Sequence, residues 1–449
     1  MSRGIMRIVT ISNLFPRPDQ PSRGVFNLQL FGAMADIVLR DGGSLETIVP
    51  VAEWRIGCHA AIERWRPPAG VPDSVNVHYR PYYYLPLAGR SASVAFLQHA
   101  LKAEAEAMAR ADIVFATWLY PDCVAVANWM CGRGKTVGIL VQGSDTIHLR
   151  SAIRRRQIMR ALDRDVRVYC VSNGLADRLE DAGVRTDKIK VTPNGVDGAL
   201  FHYRSKDEAR MVLASSSSQT ATNINLFGAD STLPVRSGSS TGRSTGVGSP
   251  RLQSGLRATS VLEPGAAEYF SRLVLFVGNL VPVKGCDRLI RSFARYLDAS
   301  KVQNTRLIII GDGPMRPELE AMAKKAGSAD YVIFLGRRPY AEIPFWMNVA
   351  DMLCLPSRNE GHPNVVSEAL ASGLPVIAAD VGACRDLLHN EQDAMVIPDN
   401  DAFIERLATA LAVFGQRAVD RIALAQRHSH RTWHAMAGEI LSTLGKKSE

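Results

Sequence analysis

The chain has 449 residues, 46% hydrophobic and 22% charged, enough for two or three ordinary domains. Its formal net charge of +9 favours anionic partners such as nucleotides or phospholipid surfaces without choosing among them. Seven scattered cysteines with no C-x-x-C pair exclude a zinc knuckle and a disulfide framework and point to a reducing compartment. No apolar run reaches the ~18 residues of a membrane-spanning helix, so none is expected.

In chain order, MRIVTIS comes first, too short for a secretory signal and read as a strand. ETIVPV, DIVFAT, TVGILVQ, RVYCVS and KIKVTP follow as strands, with helical patterns such as VAFLQHALKAEAEAMAR between them. This first series spans residues 1–200. Within it, RSAIRRRQIMRALDRDVR would set Arg154, Arg155, Arg156 and Arg160 on one helix face. That face is either simply solvated or meets an anionic membrane or a phosphorylated acceptor.

Residues 201–270 form a linker, and from Ala214 to Ser260 it is rich in Ser, Thr and Gly with no apolar period. Such a stretch cannot bury enough surface to offset its ordering entropy, so it reads as a disordered insertion. A regulatory or partner-binding loop is the other reading. A second series, RLVLFVGNL, TRLIIIGDG, YVIFLG, MLCLPS and LPVIAAD, occupies 271–425, and a last helix occupies 426–449. Near-continuous apolar strands between amphipathic helices specify parallel sheets covered on both faces. The fold class is therefore α/β, with two doubly wound domains. Ligands in such sheets bind beyond the carboxyl ends of the strands, which puts the natural site in a cleft between the domains.

The strongest local signal runs from Leu355 to Asp380, LPSRNEGHPNVVSEALASGLPVIAAD. A strand ends in a polar loop, Pro363 fits a helix start, and the helix runs from about Asn364 to Ser372 before Gly373. The free N–H groups of that helix start can receive an anion or sugar hydroxyls. Glu360 in the loop and Glu368 in the helix are separated by seven residues. Glu368 lies among small apolar neighbours, where a charge needs a partner, and vicinal ribose hydroxyls would suit it. Glu360 suits a sugar hydroxyl or the charge developing at an anomeric carbon. Paired acids on one strand–helix turn do not bracket a bond from two sides, which disfavours a glycosidase. CGRGKT is not a P-loop, because Trp129 stands where the first glycine belongs and a strand follows. The histidines are dispersed, and no metal cluster is expected.

EGHPNVVSEALASGLPV resembles the E-x7-E segment of retaining glycosyltransferases of family 4, which have the GT-B fold of two Rossmann-like domains facing a cleft. VGNLVPVKGCDRLI, IIIGDGP, VIFLG, CVSNGLADRL and VTPNGVDGALF stand in that family's order and approximate spacing, so the resemblance covers nearly all of the chain outside the insertion. It implies that Glu368 binds the donor ribose. Glu360 would bind the transferred sugar, with backbone groups of Gly361, His362, Pro363 and Asn364 beside it. Lys284 would neutralise the donor diphosphate, Gly24 would let the chain approach the phosphates, and Arg23 is a candidate for a phosphate, sugar or acceptor contact. Asn279 stands where many relatives carry Arg, and Arg337 or Arg338 is the candidate replacement at the base or phosphates. Gln142 stands where relatives often have His, and Gln142 and Asp145 are candidates for the sugar or acceptor. In the family's Gly-Gly-x-x-Glu turn Gly382 remains and Asp386 replaces the acid. Trp433 reads as packing.

The resemblance implies a retaining hexosyltransferase that uses a nucleotide-diphosphate sugar as co-substrate, with no metal or other cofactor. The acceptor would be a glycan or lipid-linked molecule. GNLVPVKG and SNLFPRPDQPSRGVF look nearest to the teichuronic-acid-type branch of cell-surface polysaccharide enzymes. The place implied is the cytoplasm, with peripheral contact to an anionic membrane and no nucleic-acid partner. Two alternatives stand: a nucleotide-sugar epimerase on the same plan, and a non-catalytic nucleotide-sugar-binding subunit, which Asn279 and Gln142 keep open.

Overall fold

The computed structural model describes residues 5–21, 23–84, 92–215, 272–300, 304–388 and 393–445. Beyond Ser215, the insertion expected over 214–260 lies outside the described residues.

The first domain is built on β1 Arg7–Ile11, β2 Ser44–Glu53, β3 Asn76–Tyr83, β4 Ile113–Thr117, β5 Thr136–Val141, β6 Arg167–Cys170 and β7 Ile189–Val191. They form a parallel sheet in the order β3-β2-β1-β4-β5-β6-β7. The second domain uses β8 Arg272–Val277, β9 Thr305–Ile310, β10 Val332–Gly336, β11 Met352–Leu355, β12 Val376–Ala379 and β13 Ala394–Ile397. Its parallel order is β10-β9-β8-β11-β12-β13. Every residue of β4, β11 and β12 is buried, as expected of unalternated apolar runs covered on both faces. In both sheets the strand order reverses once, between β1 and β4 and between β8 and β11. Those two reversals are the switch points at which doubly wound sheets bind ligands.

Two strands escape the sequence pattern, and both are edges. In β3, NVHYRPYY mixes charge and a proline into the run, which an edge strand tolerates. In β13, AMVI is short and only Ile397 is buried. The helix expected through VAFLQHALKAEAEAMAR divides into Ser93–Leu101 and Ala105–Arg110, with a tighter turn at Lys102–Glu104. The break turns Glu104 inward, where it is buried against Arg80 and lies 3.5 Å from His78.

The chain passes between the domains twice. Val196, Phe201 and the helix Lys206–Ser215 already belong to the second core. The helix Arg421–His428 also packs there, through Leu424. Thr432 then caps a new helix, Trp433–Leu444, by accepting the Ala435 N–H at 3.1 Å. That helix returns to the first domain, where Trp433, Ala437, Ile440 and Leu444 are buried in its core. The two crossings are laced together by the Val196 N–H donating to Arg431 O at 2.8 Å.

Candidate functional site in the interdomain cleft

At the β8/β11 switch point the two post-strand loops are fastened to each other. Arg358, after β11, donates its backbone N–H to Val283 O at 2.8 Å and its guanidinium to both carboxylate oxygens of Asp287 at 2.8 and 2.7 Å. This fixes the short turn Pro282–Lys284 after β8 against the loop that carries Glu360. Lys284 Nζ lies 2.7 Å from Glu360 Oε1, and Ser357 Oγ donates to the same oxygen at 2.7 Å. Glu360 is only 8% exposed, whereas the Lys284 side chain keeps 29% of its surface, so the pair opens to solvent on its cationic side. Gly382 makes this packing possible. Its φ is 55°, and a β-carbon there would fall 2.0 Å from Glu360 O.

The helix Asn364–Ala371 begins immediately after this loop, with Pro363 at its N-cap, Ser372 at its C-cap and Gly373 at φ 69°. Glu368 sits midway along it, half-buried, and Tyr340 donates its hydroxyl to Glu368 Oε1 at 2.8 Å. Burial pushes the Glu368 carboxyl up to about 7, and the hydrogen bond from Tyr340 pulls the other way. Asn279, two residues past β8, and Arg337, directly past β10, are exposed at the same carboxyl edge of the sheet.

The first domain's switch point is built differently. Asp122, after β4, accepts the Asn13 backbone N–H at 2.7 Å and its side-chain amide at 3.3 Å, joining the loops after β1 and β4. It is fully buried, and burial pushes its carboxyl up to about 7. Arg23 spends its guanidinium on Asn13 O at 3.1 Å and Gln20 Oε1 at 3.1 Å. Gly24 caps the helix Val25–Arg40 in the left-handed conformation, and a β-carbon would meet Leu14 O at 2.2 Å, so the chain's own backbone demands this glycine. Gln142 is half-buried and donates its amide to Asn27 Oδ1 at 2.7 Å. The expectation that Asp145 faces the sugar or acceptor is corrected. Asp145 has no exposed surface and accepts the N–H groups of Gly143 at 2.8 Å and Leu119 at 3.1 Å, so it holds a turn. Arg154 also leaves the expected cationic face: it bonds His148 Nδ1 at 2.9 Å and stacks over Tyr120 at 5.4 Å. Arg155, Arg156 and Arg160 remain exposed.

The two edges meet backbone to backbone. A β-carbon on Gly143 would lie 2.6 Å from the Gly361 α-carbon, so Gln142 and Gly143 press on the loop beside Glu360. Asn194 donates its amide to Asn364 Oδ1 at 2.8 Å, and the Asn173 N–H reaches Asp386 Oδ2 at 3.1 Å. His362 is buried in a pocket between the domains that Ser172, Asn194 and Arg431 also line. Burial holds its imidazole down to about 4.

Residues 271–413 match the domain family described as Glycosyl transferases group 1, and residues 57–199 match Glycosyltransferase Family 4. Each of the two domains thus contains a segment similar to a glycosyltransferase family. Over 179 residues it is 34% identical to the D-inositol 3-phosphate glycosyltransferase of Jonesia denitrificans, across 38% of this chain and 42% of that protein. The chain thus spans less than half the length of that curated relative. The sucrose-phosphate synthase (tll1590) from Thermosynechococcus elongatus superposes with a TM-score of 0.68 at 15% identity over 98% of each chain. Anabaena Alr3699/HepE in complex with UDP gives 0.66 at 16% identity over 98% of this chain and 99% of that one. At such identities the likeness is one of fold, and the fold is GT-B.

Within the matched segment of the second domain, several of the expected donor residues lie along one loop and helix. Lys284 and Glu360 touch, Gly361 to Asn364 follow in the same loop, and Glu368 lies on the helix that the loop enters. Sequence reasoning missed Ser357 and Tyr340. Ser357 stands three residues before Glu360, a local signal that could have been read. Tyr340 comes from a turn remote in sequence, and no local pattern ties it to Glu368.

Proposed function

We propose that the cleft is the active site of a retaining glycosyltransferase that moves a hexose from a nucleotide-diphosphate sugar to a glycan or lipid-linked acceptor. The observation that carries this reading is the Lys284–Glu360 pair at the β8/β11 switch point, inside the matched group 1 domain. The nucleotide is supported by the neighbour HepE, whose structure holds UDP.

Glu368 takes the ribose hydroxyls. Lys284 takes the diphosphate, whose negative charge grows as the sugar leaves and to which a fixed cation is worth most. Because a nucleoside diphosphate is a good leaving group and Lys284 supplies the charge, the reaction runs without a metal. Glu360 and the backbone of Gly361, His362, Pro363 and Asn364 hold the sugar. Asn279 and Arg337 extend the donor edge, while Gly24, Arg23 and Gln142 face it from the first domain. We place the enzyme in the cytoplasm, in cell-surface polysaccharide synthesis of the teichuronic-acid type. Arg155, Arg156 and Arg160, with the exposed Ile153, give it a face for an anionic membrane.

The test is a thermal-shift screen of the protein against UDP-, GDP-, ADP- and CMP-sugars. One nucleotide class should raise the melting temperature, and Glu368→Ala should abolish that rise. A protein that responds to none of them does not work as proposed. With the donor known, product whose anomeric configuration is inverted relative to the donor rules out the retaining course.

A further inference from the structure

Tyr340 opens the short turn Tyr340–Glu342 that follows β10. Its ring packs on Phe201 with centroids 5.3 Å apart, and Phe201 is buried in the second domain's core. The phenol is therefore set on a rigid base. Its O–H donates to Glu368 Oε1 at 2.8 Å, and its oxygen accepts the Gln29 amide at 3.3 Å. Gln29 belongs to the helix Val25–Arg40 of the first domain. Three side chains thus form one hydrogen-bonded chain across the cleft, and each bond polarises the next.

A carboxylate that receives two vicinal hydroxyls must present its oxygens in a fixed plane. A glutamate side chain on a helix has several rotamers, and the phenol selects one. We propose that Tyr340 is a positioning residue that aims Glu368 at the ribose of a nucleoside diphosphate and, through Gln29, ties nucleotide recognition to closure of the cleft. This rests on the reading of Glu368 as the ribose acceptor. The charge state agrees with the geometry, since a donor to the carboxylate favours its ionised form where burial opposes it.

The experiment measures binding of UDP and of GDP, each against its dideoxyribose form, by calorimetry. The proteins are the full chain, Tyr340→Phe and Gln29→Ala. The ratio of the two affinities reads the ribose contact alone. The unsubstituted chain should prefer the ribose form. Tyr340→Phe should cut that preference about five- to tenfold, the worth of one net hydrogen bond, and leave the dideoxy affinity unchanged. Gln29→Ala, which keeps the phenol, should cut it about twofold, as expected of a longer and weaker bond. Equal weakening of both forms in Tyr340→Phe, or an unchanged ratio, overturns the positioning role while leaving Glu368 as the ribose acceptor. An unchanged ratio in Gln29→Ala alone overturns the link to closure. If the unsubstituted chain itself shows no preference, the ribose reading of Glu368 falls, and this inference falls with it.

Discussion

The first six strands of the first domain and the six of the second share one order, and both domains place acids near their switch points, yet those acids do different work. In the second domain Glu360 meets the ammonium of Lys284, whose side chain still reaches solvent. In the first domain Asp122 and Asp145 have no exposed surface; Asp122 accepts the backbone N–H and side-chain amide of Asn13, and Asp145 accepts backbone N–H groups. Topology alone therefore does not make a site. What differs is direct contact: Lys284 pairs with Glu360, whereas Arg23, the cation near Asp122, is spent on Asn13 O and Gln20. The cation and acid suited to the proposed anionic donor are concentrated on one wall of the cleft, and the other wall supplies shape, through the contact of Gly143 with Gly361.

The largest effect expected from this comparison is on catalysis at the second domain's wall. Lys284→Ala should cost about 1.5–3 kcal/mol of transition-state stabilisation, the range of a charged hydrogen bond, or roughly 10- to 150-fold in kcat/KM. Steady-state kinetics with the donor found in the screen measures this, and the unsubstituted enzyme should keep its rate in EDTA. An unchanged kcat/KM removes Lys284 from the mechanism.

The first domain's wall should respond in stability instead. Asp145→Ala strands the N–H groups of Gly143 and Leu119 in a buried place, at a cost of about 1–3 kcal/mol. For domains of this size that lowers the melting temperature by about 2–4 °C per kcal/mol. Nucleotide binding to the second domain should fall by less than the stability does, because Asp145 reaches that wall only through the Gly143 backbone that packs on Gly361. A variant that keeps its melting temperature but loses nucleotide affinity would reverse the assignment.

The same asymmetry decided what could be read in the sequence. The second domain's site was legible because Glu360, Pro363, Glu368 and Gly373 follow one another in a single strand–loop–helix, so local rules of capping and burial apply. Lys284 needed the resemblance to a family, because its partner is remote in sequence. The first domain's acids were not legible. Whether Asp145 faces a ligand or its own turn depends on the N–H of Leu119, which another loop brings to it. Tyr340 was missed for the same reason. The apolar strands of both cores could be read directly, and β3 and β13 were lost because edges need not be continuously apolar.

The smallest expected effect lies where the walls meet, in the pH dependence of the nucleotide-free protein. Burial raises the Glu368 carboxyl from 4.5 to about 7, so the folded state binds the proton more tightly than the unfolded one. Its contribution makes stability fall as pH rises from about 4.5 to about 7. Burial lowers the His362 imidazole from 6.5 to about 4, so there the unfolded state binds the proton more tightly, and stability rises from about pH 4 to about 6.5. The two slopes oppose each other where the windows overlap. Glu368→Gln should therefore make the dependence of melting temperature on pH more positive, and His362→Phe should make it more negative. Because Glu368 is only half-buried, solvent screening reduces its share, and the His362 variant should show the larger change. Calorimetric melts from pH 4 to 7.5, compared as differences from the unsubstituted protein, read each contribution separately. A variant whose slope matches the unsubstituted protein would mean that its group keeps its ordinary titration in the folded cleft, and slopes that shift in the same direction in both variants would mean that one of the two shifts has the opposite sign.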